Sequence, residues 1–467
     1  MVALVGVLGS SLPAGYNLGV LNTPEAILRE FVHSSISQRG LVLSESQLNI
    51  LWSCVVSVFL IGAMIGSCCA GWTANKIGRR PTLLLNSAIG LLSAALFAMA
   101  RIACSVEMII LGRLLAGVFS GIGSSVGPMY MMESGPSNLR GALGVLQQLG
   151  LCVGILIAQI LGQKEILGNA TNWPILLSVY SCFIAVGLLI LLFCPESPAY
   201  LYIKMGEYDK AFKELEKLRG FPAALLHGDV VLLRTERKMN ESCSTWTITR
   251  VFKDPLVRKP LFSVCIMHIG QQLCGINAVI YYSTSTFLKI GMTYTQSQYG
   301  SIGAGLANVV MAFVSVPLVN SCQRRILILV SICSVACSLI ILTISMALQS
   351  VSPALSYVII ISSLCFVLGY GIGLGPLPYM IGSELFHQGP RATGMGLGCL
   401  ANWSANFIVA LTFPLLQQLL DQYVFLIFAT FTVFLGIYLY KYLPETKDMN
   451  PVDLSSLFQS PLCEEKL

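Results

Sequence analysis

Long apolar runs dominate this chain, and most are too unbroken to be one face of a soluble helix. Runs of spanning length lie at 2–22, 48–72, 81–101, 107–128, 141–162 and 174–194. Six more lie at 260–287, 297–319, 326–348, 354–381, 394–416 and 422–441. About 20 apolar residues in a helix cross the hydrocarbon core of a bilayer. The pattern therefore predicts an all-α membrane protein with twelve transmembrane helices. Between the two sets of six lies the one substantial polar stretch, with an amphipathic helix expected over Tyr208–Leu218 that turns Lys210, Lys213, Glu214 and Lys217 to water. The expected units are a six-helix half over 1–194, a linker over 195–258, a second half over 259–443 and a tail over 444–467.

Composition fits this reading. Of 467 residues 55% are hydrophobic and only 11% charged, where a soluble domain carries about a quarter charged. The first run starts almost at Met1 without a basic region before it, so it reads as a spanning helix and not a cleavable signal. The formal net charge of +6 invites a nucleic-acid reading, but its placement opposes one. With both termini cytosolic, about 22 of the 28 Lys and Arg fall in inner loops and the tail, as the positive-inside rule requires. Most of the sixteen cysteines sit inside apolar runs with no CxxC pair, and the four histidines are scattered. No metal or cofactor is expected.

The two halves repeat. Arg79-Arg80 is answered by Arg324-Arg325, the pair Glu133 and Arg140 by Glu384 and Arg391, and Pro195-Glu196-Ser197 by Pro444-Glu445-Thr446. The offsets cluster near about 250 residues, as in two parallel six-helix repeats. Any one of these charges, taken singly, reads as a solvated loop charge obeying the topology rule. Their repetition favours ion pairs that latch the cytosolic gate and break when the halves rock.

Few ionisable groups fall within the runs. Arg113 is the clearest, and it reads either as a functional charge or as an arginine that snorkels to the interface. Neutral amides are more telling: Asn17, Gln148, Gln271, Gln272, Asn277, Asn308, Asn402 and Asn406, with Trp403 beside the last two. Singly, each reads as hydrogen-bond glue between helices. Together they suit a midplane cavity for a polar, uncharged solute, because a carboxamide both donates to and accepts from a hydroxyl, and a ring such as Trp403 covers the less polar face of a sugar. Gly371-Ile372-Gly373-Leu374-Gly375-Pro376-Leu377-Pro378 cannot form a regular helix and predicts a hinge in the tenth span. Gly275 is expected to let the outer part of the seventh span, with Tyr281-Tyr282, bend over the cavity.

These residues resemble the facilitative glucose transporters, the sugar-porter branch of the major facilitator superfamily, over essentially the whole chain. The resemblance is carried by Gly15-Tyr16-Asn17, Gly78-Arg79-Arg80, Pro128-Met129-Tyr130 with Glu133, and Leu139-Arg140-Gly141-Ala142. It continues through Gln147-Gln148-Leu149-Gly150, Pro195-Glu196-Ser197-Pro198, and Gln271-Gln272-Leu273-Cys274-Gly275-Ile276-Asn277. Glu384-Leu385-Phe386, Asn402-Trp403 with Asn406, and Pro444-Glu445-Thr446-Lys447 complete it. It implies the major facilitator fold, two pseudo-symmetric six-helix halves, and alternating access. It also implies sugar contacts at Gln148, Gln271, Gln272, Asn277, Asn308 and Asn406, with Ile155 and Trp403 lining the same cavity. Proton-coupled sugar porters commonly carry an acid near the place of Asn17, so the asparagine implies a uniporter.

Several positions depart from glucose-preferring members. His268-Ile269-Gly270 replaces the usual Gln-Leu-Ser, Gly371 stands for an acid, and Tyr379, placed with the substrate-binding set, stands for a tryptophan. Fructose or another polyol-like solute therefore stays open beside glucose. Asn320-Ser321-Cys322-Gln323 precedes Arg324-Arg325 without the usual acid and glycine, and Ala199 stands for an arginine. A weaker latch is expected in the second half. The loop over 23–47 lacks an Asn-x-Ser/Thr, whereas Asn169-Ala170-Thr171 offers an N-glycan acceptor in an outer loop. A membrane enzyme is disfavoured because no nucleophile–base pair falls in a span, and a channel because rings of charge are missing. A non-transporting sugar sensor remains the alternative. The expected setting is the plasma membrane, multi-pass, with a hexose and the lipid bilayer as partners.

Overall fold

The structure, a computed structural model, describes residues 1–40, 44–136, 139–222, 225–240, 246–279, 291, 293–349, 351–352, 354–447 and 449. Among these, twelve helices are long and apolar enough to cross a membrane. The first six are α1 (Val2–Gly19), α2 (Glu45–Ile77), α3 (Arg79–Ala100), α4 (Val106–Ser134), α5 (Gly141–Leu161) and α6 (Trp173–Phe193). The rest are α7 (Pro255–Val279), α8 (Gln296–Ser321), α9 (Arg324–Ala347), α10 (Leu355–Leu385), α11 (Gly389–Phe413) and α12 (Leu415–Tyr442). The protein is a multi-pass membrane protein, and its outer helices keep an apolar belt: Leu189 and Phe193 on α6 and Phe434 and Ile437 on α12 are exposed. In a bilayer, lipid covers such side chains while the helix satisfies its own backbone.

Local chemistry sets several helix starts. Ser44 and Gln47 form a capping box at α2, and Thr293 and Gln296 form one just before α8. Asp254 accepts from the N–H of Leu256, with Pro255 at the first turn of α7. The predicted amphipathic helix is present as Tyr208–Arg219, burying Ala211 and Leu215. A second linker helix, His227–Asn240, follows it.

Glycines let the helices approach. Gly62 and Gly66 of α2 face Gly117 and Gly121 of α4; a Cβ on Gly117 would stand 2.0 Å from the carbonyl oxygen of Phe59, and one on Gly62 2.2 Å from that of Leu114. This is small-xxx-small packing in both partners. The α1–α5 crossing repeats it, since a Cβ on Gly15 would lie 2.1 Å from the oxygen of Leu151 and one on Gly154 2.1 Å from that of Leu12. The first six spans meet the last six chiefly along α2 with α11 and α5 with α8. One apolar core gathers Phe59, Phe97 and Trp173 of the first set and takes in Trp403 of the second; the other gathers Phe366, Phe413 and Phe428 of the second set and takes in Met132 and Val145 of the first.

The glycine- and proline-rich stretch expected to interrupt the tenth span does break it. α10 is regular to Ile372 and again from Leu377, with Gly373 at φ −147° and ψ −50° between. α7 also breaks: Cys274 ends its first part, and Gly275 takes φ +86°, where a Cβ would meet the Phe428 ring at 2.6 Å. The expected bend at Tyr281-Tyr282 lies outside the described residues.

Gly117→Ala is expected to lower the melting midpoint of the purified protein in detergent, because α2 and α4 must separate. Gly303→Ala, with nothing within 4 Å of its added Cβ, gains roughly 0.5–1 kcal/mol of helix propensity and should melt no lower than the parent. Equal midpoints for the two variants would reject close α2–α4 contact as a determinant of stability.

Candidate functional site

All nine side chains expected to contact or line the site converge on one cavity between the halves: Gln148, Ile155, Gln271, Gln272, Asn277, Asn308, Tyr379, Trp403 and Asn406. Leu18, Ser124, Tyr370 and Asn402 complete much of the wall. Among the described residues, no Asp, Glu, Lys, Arg or His lines it. Such a wall offers hydrogen bonds without fixed charge, so it fits a neutral, hydroxyl-rich solute and disfavours an ion.

The amides form a relay. Asn277 donates to Gln272 Oε1 at 2.6 Å, and Gln272 donates to Asn402 Oδ1 at 3.0 Å. Asn402 donates to Gln271 Oε1 at 2.7 Å, and Gln271 Nε2 donates to the carbonyls of Leu374 at 3.1 Å and Gly375 at 2.8 Å. Those carbonyls belong to the break in α10. Gln271 lines the cavity as expected, with its Nε2 engaged by the broken helix and its Oε1 by Asn402. Asn402 is the hub of the relay, and the family resemblance assigned it no role of its own. Its part follows from tertiary geometry across 130 residues, which spacing along the chain does not reveal.

Two acceptors stay open. Asn308 Oδ1 and Asn406 Oδ1 are buried without a hydrogen-bond partner among the described residues, so each can accept from a solute hydroxyl in the cavity. Trp403 is oriented by its Nε1–H to Ser124 Oγ at 3.2 Å and by an edge contact with Phe59, ring centroids 5.9 Å apart. It thus ties α11 to α4 and α2. His268 sits behind the wall, its ring 4.8 Å from that of Tyr379 and its Nδ1 3.4 Å from Asn402 Nδ2.

The latch residues meet at the end of the bundle that carries the linker. Arg79 grips Glu133 through Nε at 2.9 Å and Nη2 at 3.1 Å, and Ser197 Oγ donates to the same carboxylate at 2.6 Å. The Arg79 and Glu133 side chains are 1% and 0% exposed, so solvated loop charges are ruled out for this pair. Glu196 accepts the backbone N–H groups of Arg79 and Arg80 at 3.1–3.2 Å, at the start of α3. Gly78, at φ +100°, makes room for it: a Cβ there would lie 2.4 Å from Glu196 Oε2. Burial raises the Glu196 carboxyl above the usual carboxylate value, against the pull of the Ser197 and Arg80 N–H groups.

The second half repeats the design. Glu445 accepts the N–H groups of Arg324 and Arg325, both at 3.0 Å, and Thr446 Oγ1 donates to Glu384 at 2.8 Å. Arg324 reaches Glu384 through Nη2 at 3.0 Å, with the two side chains 8% and 15% exposed. The repeated charges were expected to form ion pairs without assigned partners, and the described partners join different elements. Arg391 spans the halves to Glu133 at 3.7 Å and contacts Glu236 of the linker helix at 3.5 Å. Glu236 was not anticipated, since nothing in its local sequence marks it. The Arg140 side chain lies outside the described residues. Arg113, 3% exposed, does not snorkel: its guanidinium lies 4.5 Å from the Phe59 ring centroid and donates to the Asn17 carbonyl at 2.8 Å.

At the opposite end, a further cavity between the halves is lined by Asn22, Trp52, Phe59, Arg113 and Gln418, and shares Leu18 with the central one. On that side Asn169 Oδ1 accepts from Thr171 Oγ1 at 2.7 Å and from the Asn172 N–H at 2.9 Å.

Comparison with known proteins places this geometry. Residues 2–457 match the family model described as sugar (and other) transporter. Facilitated glucose transporter member 7 of solute carrier family 2 from Mus musculus is 38% identical over 461 residues, 98% of this chain and 89% of that one. Member 1 from Gallus gallus is 39% identical over 448 residues, covering 96% and 91%. Member 5 from Homo sapiens is 37% identical over 461 residues, covering 98% and 91%. Among solved structures, the proton:xylose symporter XylE bound to 6-bromo-6-deoxy-D-glucose superposes with a TM-score of 0.85 at 23% identity over 98% of both chains. Its inward open form from E. coli gives 0.71 at 22% identity, covering 97% and 98%. These two carry the fold.

Arg79→Ala is expected to destabilise the protein by about 3–5 kcal/mol, the cost of leaving a buried partner uncompensated. Arg324→Ala, which breaks a single contact nearer solvent, should cost less. Melting midpoints of the two variants in detergent, compared with the parent, check the order. Equal losses would remove the asymmetry between the latches.

Proposed function

The chain belongs to the sugar (and other) transporter family, and on that premise we propose that it carries a neutral hexose, glucose or fructose, across the plasma membrane by facilitative uniport. One observation carries the reading: a wall of neutral amides between the halves, with open acceptors at Asn308 and Asn406 and no fixed charge among its described lining. A sugar hydroxyl donates to such an acceptor, and Trp403 covers an apolar ring face. Solute carrier relatives named as facilitated glucose transporters, at 37–39% identity, support the substrate class. Asn17, which cannot titrate, supports transport without proton coupling.

The working cycle follows from the latches. With the linker end cytosolic, as the placement of Lys and Arg favours, the contacts of Arg391 with Glu133 and Glu236 close the inner gate. The cavity holding Trp52 and Arg113 then serves as the outer vestibule. Residues 1–194 and 259–443 are the rocking halves, 195–258 the cytosolic linker and 444–467 the cytosolic tail. Breaking the inner contacts opens the site inward. Tyr379 in the wall, His268 behind it and Gly371 favour a second reading of the cargo, in which fructose or another polyol-like solute is preferred to glucose. An N-glycan at Asn169 fits the outer face.

Reconstituted in liposomes, the protein should take up labelled glucose or fructose saturably, at a rate indifferent to an imposed proton gradient. Asn308→Ala and Asn406→Ala should each raise KM up to about tenfold, the worth of one hydrogen bond. Sugar binding without flux would establish a sensor instead, and flux that follows the gradient would end the uniport reading. In cells, a glycosidase-sensitive gel shift should vanish in Asn169→Gln; a parent without any shift would dismiss the glycan.

A further inference from the structure

A crevice at the linker end of α2, where it meets α11, shares no described lining residue with the central cavity. Lys76 and Trp72 of α2, Lys204 and Trp246 of the linker, and Thr393 and Leu397 of α11 line it. Among the described lining there are two lysines and no carboxylate. Lys76 Nζ lies 4.7 Å from the centroid of the Trp72 ring, and Trp72 is 64% exposed on the outside of the bundle. Burial, with the nearby charge of Arg79, pushes the Lys204 ammonium below the usual lysine value, so an anion that replaces lost hydration would hold it charged. Trp246 is 8% exposed, yet its Nε1–H has no acceptor among the described residues. Thr393 Oγ1 donates to the Trp246 carbonyl at 3.1 Å, which pins the linker to α11.

Two ammonium groups and an orphaned indole N–H above an apolar wall are complementary to one kind of molecule: an anion joined to a hydrocarbon chain. A small inorganic anion would satisfy the donors but leave Trp72 and Leu397 bare. Aromatic and lysine side chains at the end of a span also mark the headgroup level of a bilayer. We propose that this crevice binds an anionic phospholipid from the leaflet on the linker side, its phosphate between Lys76 and Lys204 and its acyl chain along Trp72. The position has a mechanical meaning. α2 and α11 touch here so closely that a Cβ on Gly71 would stand 2.9 Å from the Ala392 carbonyl oxygen. A lipid seated across them contacts both halves and the linker in the closed arrangement, and separation of the halves at this end splits its site. Anionic lipid therefore favours the state closed on the linker side. The inference rests on the membrane orientation given under the proposed function, not on the identity of the sugar.

Short-chain phosphatidylserine, phosphatidylcholine and inorganic phosphate, titrated separately into the purified full-length protein, provide the test. Phosphatidylserine should raise the melting midpoint saturably, and the other two should not. The double variant Lys76→Gln/Lys204→Gln should lose that rise while matching the parent's sugar uptake in vesicles of neutral lipid, which also shows that it folds. An equal rise with phosphatidylcholine, an equal rise with phosphate, or a rise that survives in the double variant would overturn the proposal. Absent uptake by the parent in neutral vesicles would instead count against the transport reading, because the lipid shift is read without sugar.

Discussion

The Glu133 carboxylate is the point on which the closed end of this molecule depends. It lies at the end of α4, removed from water, and is held by Arg79 on α3 and Ser197 on the linker. Arg391 reaches it from the other half. A buried carboxylate is costly unless cations and donors surround it, so each of these partners is fixed by the need of the others. Three separate stretches of chain are thereby tied to one atom group. Such a tie is strong when complete and fails as a unit, which suits a gate that is either shut or open.

The central cavity works by the opposite principle. Its described lining carries no charge and distributes its polarity through a relay from Asn277 to the broken part of α10. Low dielectric makes each bond in such a chain stronger and each orphan more costly. The relay satisfies most of its own groups and leaves Asn308 and Asn406 open. Such a wall can replace part of a sugar's hydration with hydrogen bonds while its described lining offers no fixed charge to an ion.

How much of this was legible in the sequence varied with the range of the interaction. The twelve spans were visible as apolar runs, since burial in lipid imposes length and hydropathy locally. Their ends were not: the run 48–72 is part of a helix that reaches Ile77, because helices continue past the apolar window until a cap or a glycine such as Gly78 stops them. The residues of the cavity were legible as a set, because amides inside a membrane are conspicuous. Their duties were hidden. Gln271 and Asn308 look alike in sequence, but one is bound to α10 carbonyls and the other is open. Partners of the charges were hidden for the same reason. The repeat marked Glu133 as a charge of the gate without naming its partners, and packing brings Arg79 and Arg391 to it from 54 and 258 residues away.

The break in α10 has an effect on the wall of the cavity. Its freed carbonyls draw Gln271 into structural service, and through Gln271 they recruit Asn402 as well. Changes at those two positions disturb the scaffold before they touch the cargo. Asn308, Asn406 and Tyr379 carry no comparable obligation among the described hydrogen bonds. One helical irregularity thus divides the wall into side chains bonded to the scaffold, Gln271 and Asn402, and side chains without such a bond among the described residues, Asn308 Oδ1 and Asn406 Oδ1.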